Sequence, residues 1–90
     1  MQSKDSQAII SRFFQALYRL KEDKKIKGKK TFTTEHDINR WNFYKLEKDI
    51  TRDIFQVAWL NYLVHDYGVS AQWLLTGVGN FYSKSTGAKK

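Results

Sequence analysis

Apolar residues first recur at helical spacing at Ile10, Phe13, Phe14, Leu17 and Leu20, which predicts a helix from Ala8 to about Lys25 with Ser3 or Asp5 able to cap it. Its last turn is rich in Lys, which suits the negative end of the helix dipole. Gly28, in KIKGKK, marks the break, since glycine supplies the left-handed backbone that a helix end or loop needs. The β-branched stretch TFTTEH favours a strand by propensity, yet it is too short and isolated to pair. A short second helix is therefore expected to start between Lys29 and Thr31.

Asp37 then falls at a turn, where Asp tolerates the left-handed region, and Asn39 caps a third helix, Asn39 to about Lys48. Thr51 is a further cap, with Asp53 favourable in the first turn of a fourth helix from about Arg52 to Tyr67. That helix has two apolar faces: Val57, Leu60, Leu63, Val64 and Tyr67 on the one assigned to the core, and Phe55, Trp59 and Tyr62 on the other. Gly68 ends it, Ser70 caps a short fifth helix (AQWLLT), and Gly77 and Gly79 close that one. The expected fold is all-α, with five helices in one domain spanning 6–82, followed by a disordered basic tail at 83–90.

Ninety residues suit one domain, and 41% hydrophobic content with 16% aromatic is enough for a packed core. With no cysteine, disulfides and thiolate metal sites are excluded. MQSKDSQAII holds no apolar run of leader length, and no stretch reaches the roughly 20 apolar residues of a membrane span. A cytoplasmic location is expected, with no membrane partner. The net charge of +7 implies an anionic partner and is unevenly placed. Seven of the twelve residues from Arg19 to Lys30 are Lys or Arg, whereas Asp53 to Ser83 contains neither.

The third helix sharpens this picture. Phe43 and Leu46, with Ile38 upstream, plug one face into a core, while Arg40, Trp41 and Lys45 project from others with Asn42 and Tyr44 nearby. Such a helix can read base edges in a major groove. The fork of Arg40 matches O6 and N7 of guanine, a contact worth about 1–3 kcal/mol of discrimination; its alternative is a solvated helix start. Trp41 would touch a thymine methyl or pack back as core. Lys45 would reach a second base or a phosphate, or pair with Asp49. Lys24, Lys25, Lys27, Lys29 and Lys30 fit phosphate binding at the entry to the second helix, with Lys48 and Arg52 flanking the groove from the other side. A merely solvated loop is the plainer alternative.

The order of these elements resembles the lambda-repressor and Cro family of helix-turn-helix DNA-binding proteins over roughly residues 9–79. Phe32, Asp37, Ile38 and Asn39 fill the positions before that family's recognition helix, and Phe43 and Glu47 the apolar and Glu positions within it. Leu63, Val64, Tyr67, GVSAQWLLTGVG and Phe81 match its late signature. The chain departs from the family pattern at Lys29, where a Gln usually opens the second helix, at Thr33 for the small residue, and at Asp37 for the turn glycine. The loop from Ile26 to Phe32 is also one residue longer than usual.

The resemblance implies a helix-turn-helix at about 29–48, with Arg40, Trp41, Asn42 and Lys45 facing bases. Lys27, Lys29, Lys30, Thr31, Asn39, Tyr44, Lys48 and Arg52 would lie near phosphates. It also implies a homodimer on double-stranded DNA that acts as a small transcriptional regulator, a repressor by occlusion. The stripe Phe55, Trp59 and Tyr62, with Phe81 and Tyr82, is the expected dimer face; otherwise Phe81 and Tyr82 fold over the stripe within one chain. The alternative function is a protein-interaction module, antitoxin-like or adaptor, using that stripe. Single-stranded RNA binding ranks third, because these aromatics do not form a stacking platform on a sheet. No catalytic residue, metal, cofactor or small-molecule ligand is expected. His36 and His65 lack carboxylates at ligand spacing, GVGN cannot cradle a phosphate, and no nucleophile motif is present.

Overall fold

The computed structural model describes residues 3–83. Among them are five helices and no strand: α1 (Lys4–Glu22), α2 (Lys29–Glu35), α3 (Arg40–Lys48), α4 (Val57–Tyr67) and α5 (Ala71–Thr76). The all-α expectation holds. Of the tail expected at 83–90, residues 84–90 lie outside the described residues, and Ser83 is tied in by a bond from its amide to the Gly68 carbonyl at 2.8 Å.

Helix α1 starts at Lys4 rather than Ala8 because the Ser3 side chain accepts the amide of Ser6 at 3.1 Å, with Asp5 in the first turn. It stops at Glu22 rather than Lys25. There the Lys24 amide donates to the Lys21 carbonyl at 3.0 Å and the Lys25 amide to Leu20 at 2.9 Å, the paired bonds of a Schellman end. This end turns through a left-handed residue, and that residue is Lys24, at φ 62°. Gly28, expected to supply the turn, is instead extended, at φ 170°. The buried Ile26 anchors the loop between them.

A lysine in the left-handed region costs about 1–2 kcal/mol, and glycine gives back roughly half of that in unfolded-state entropy. Lys24→Gly is therefore expected to stabilise the chain by about 0.5–1 kcal/mol, read as a higher urea midpoint at unchanged slope. An unchanged or lower midpoint would mean that the Lys24 side chain stabilises the fold in its own right.

Helix α2 ends the same way. Asp37 is left-handed at φ 53°, as expected, and the Ile38 amide donates to the Thr33 carbonyl at 2.9 Å. Helix α4 begins at Val57, not Arg52. The Asp49 carboxylate accepts both the amide and the hydroxyl of Thr51, at 3.1 and 2.5 Å, so this local turn competes with helix there and Thr51 caps nothing. Gly68 and Gly77, at φ 74° and 77°, close α4 and α5, and Ser70 caps α5 by accepting the Trp73 amide at 3.2 Å.

The core is centred on Phe13 of α1. Its ring packs edge-on to Phe14, Phe32, Phe43 and Phe55 at centroid distances of 5.1, 5.7, 6.2 and 5.3 Å, and lies tilted on Trp59 at 5.8 Å. Leu17, Leu20, Leu46, Leu63 and Leu74 complete it from four helices. Arg12 fastens α5 to α1, its Nε and Nη2 donating to the carbonyls of Leu74 and Leu75 at 2.7 and 2.8 Å.

The segment after α5 returns to α1. Val69 and Tyr82 form an antiparallel bridge, Phe81 packs edge-on to Trp73 at 4.9 Å, and the Arg19 guanidinium lies over Phe81 at 5.0 Å. The Tyr82 hydroxyl donates to Asp23 at 2.5 Å. That bond holds the Asp23 carboxyl below its usual range, while burial and then Asp23 push the Tyr82 phenol up to about 12. No helix among the described residues is long and apolar enough to cross a membrane.

Candidate nucleic-acid interface

Helix α3 is anchored from one side. Asn39 caps it, its side chain accepting the Asn42 amide at 3.1 Å, and Phe43 and Leu46 are fully buried. Phe43 lies against Phe14 at 5.3 Å and Trp59 at 5.9 Å, which fixes the helix about its own axis. Arg40, Trp41, Tyr44, Lys45 and Lys48 are therefore exposed, and Asn42 is half-buried. Trp41, whose packing the sequence left open, points outward at 75% exposure. Lys45 makes no ion pair with Asp49 among the described residues, and Asp49 is occupied by Thr51. The Thr51 hydroxyl, then its amide, lowers the Asp49 carboxyl below its usual range.

The relation of α3 to α1 and α2 is set at Glu47. Its carboxylate accepts the Lys29 ammonium at 2.6 Å and the Tyr18 hydroxyl at 3.2 Å, and Lys29 lies 5.4 Å from the centre of the Tyr18 ring. The bond to Glu47 raises the Lys29 pKa above its ordinary value. Lys29, expected at a phosphate, is thus an internal tie. A half-buried Glu47 would otherwise carry an uncompensated charge, and Lys29 is the cation in reach. Lys27 and Lys30 are exposed, as expected of phosphate-binding residues, and both line an open cleft of about 1060 Å³ with Lys21, Lys24 and Lys25 around Ile26. Thr31 lines the same cleft from α2. Lys21 was not singled out from the sequence; its only signal was the density of basic residues from Arg19 to Lys30. Lys48 and Arg52 are exposed beyond the other end of α3.

The aromatic stripe expected to face a partner is not a continuous surface: its central residue is buried and Phe55 and Tyr62 are half-buried. Trp59 is 3% exposed, lodged between Phe13 and Phe43, with Phe55 edge-on at 5.4 Å. Tyr62 stacks on His36 at 4.5 Å and 17°. Phe81 and Tyr82 cover neither; they lie against Trp73 and the end of α1. Helix α4 is turned so that Leu63 is buried with Trp59, Leu60 and Val64 are half-buried, and Val57 is 77% exposed. A Trp ring buries more area than Val, and this orientation gives Trp59 the interior.

The histidines play no part in this face. His36 sits at the core edge, with Nδ1 2.9 Å from the Phe32 carbonyl and Nε2 2.7 Å from Asp66, while His65 is exposed. Beside it the Tyr67 hydroxyl donates to Glu35 at 3.0 Å, and burial together with that carboxylate raises the Tyr67 pKa. Among the described residues no group of three His, Asp or Glu side chains could hold a metal ion.

No family model, no curated protein and no solved structure matches this chain.

Proposed function

We propose that the chain is a helix-turn-helix domain of the lambda-repressor type that binds double-stranded DNA and acts as a small transcriptional regulator, repressing by occlusion. The observation that carries this is the split of α3: Phe43 and Leu46 are fully buried while Arg40, Trp41 and Lys45 stand in solvent on a chain of net charge +7. In this reading α3 enters the major groove, with Arg40, Trp41, Asn42 and Lys45 at the bases. Asn39, Tyr44, Lys48 and Arg52 approach phosphates near α3, and Lys27, Lys30 and Thr31 do so from the lysine cleft. Two copies, each presenting one α3, would read half-sites about 34 Å apart. Their contact would draw on exposed apolar side chains such as Val57, Leu75 and Val78, because Trp59 of the expected stripe is buried within the chain.

A titration of fluorescent random-sequence duplex by anisotropy tests this. Affinity is expected to fall roughly 100-fold between about 50 and 200 mM salt if four phosphates are neutralised. No binding at the lower salt would remove the DNA reading.

A further inference from the structure

The N-terminal half of α3 carries a small open cleft of about 490 Å³, lined by Ile38, Asn39, Arg40, Trp41 and Tyr44. Two of its walls are aromatic and its rim is cationic. Among the described residues the Trp41 side chain makes no ring contact and no hydrogen bond, and it is the most exposed large aromatic of the chain at 75%. Tyr44, one turn on, is 38% exposed and braced edge-on by the buried Phe43 at 6.0 Å. An indole left in water in this way points to a partner that covers it.

The charge around it selects the partner. Arg40 lines the cleft itself, and Lys45 and Lys48 are exposed on the same helix. An apolar protein face would have to desolvate these cations, whereas the major groove offers an isolated apolar group set among acceptors and phosphates: the C5-methyl of thymine. We infer that Trp41, with Ile38 and the ring of Tyr44, whose hydroxyl is the part directed to the phosphate, forms a slot for a thymine methyl close to the guanine that Arg40 takes. This inference rests on the DNA reading and adds to it a chemical group that the protein must find in its site.

The test uses the full chain and the duplex it selects from a random pool. Each thymine is replaced singly by uracil, which removes the methyl and nothing else. At one position per half-site affinity is expected to fall about four-fold, equivalent to ~0.8 kcal/mol for one buried methyl. Trp41→Ala should bind the thymine and uracil duplexes alike, with its helical circular dichroism unchanged because Trp41 supports no part of the core. Equal affinity for thymine and uracil at every position, with sequence selection intact, would overturn the slot and leave the DNA reading standing. A thymine preference that persists in Trp41→Ala would overturn it too, since the methyl would then be read elsewhere. Failure to bind any duplex would remove the slot together with the reading beneath it.

Discussion

Trp59→Ala is expected to destabilise the monomer by about 3–5 kcal/mol, the usual range for deleting a buried aromatic. Trp59 is 3% exposed and touches Phe13, Phe43 and Phe55, so truncation empties the point where α1, α3 and α4 meet. Against a total stability of roughly 5–15 kcal/mol for a small domain, that loss brings the chain close to unfolding at ordinary temperature. Urea denaturation followed by far-ultraviolet circular dichroism reads it directly. If Trp59 instead belonged to a subunit interface, the variant would keep its urea midpoint and change only its sedimentation. That result would contradict the packing described above.

Arg40→Ala is the complementary case. Arg40 is exposed at the start of α3 and supports nothing in the core, so the urea midpoint should stay within about 0.5 kcal/mol of the unsubstituted chain. If α3 reads bases, a guanine contact worth about 1–3 kcal/mol is lost, and affinity for the selected duplex falls roughly 5- to 150-fold. The loss should be concentrated on the selected sequence, while binding to unrelated duplex, carried by the lysines, changes far less. Unchanged discrimination between the two duplexes would show that Arg40 reads no base, whatever the total affinity does.

The two substitutions differ because α3 and α4 were legible in the sequence to different degrees. In α3 the apolar residues Phe43 and Leu46, spaced at i, i+3 with Arg40, Lys45 and Lys48 off their face, mark the buried seam, and the structure has it; the side on which Trp41 would lie was left open. Its cap at Asn39 and the left-handed Asp37 before it were also legible, because short polar side chains carry these local preferences themselves. In α4 both faces are apolar. Periodicity sorts Val57, Leu60, Leu63, Val64 and Tyr67 from Phe55, Trp59 and Tyr62, but it cannot say which set the other helices will cover. The start of α4 was missed for a related reason: Thr51 has the right chemistry for a cap, yet Asp49 engages it first.

What the sequence determined by itself is therefore what local chemistry decides: five helices, most of their ends, the buried seam of α3 and a strongly basic stretch beside it. What only the tertiary structure decided depends on residues far apart in the chain. The face of α4 that turns inward follows from the space offered by Phe13 and Phe43. The withdrawal of Lys29 into a tie follows from Glu47, which α3 brings within 2.6 Å. The exposure of Trp41 follows from the core having been filled by other rings. A side chain's surroundings in each case come from packing three helices together, and no window along the chain contains that information.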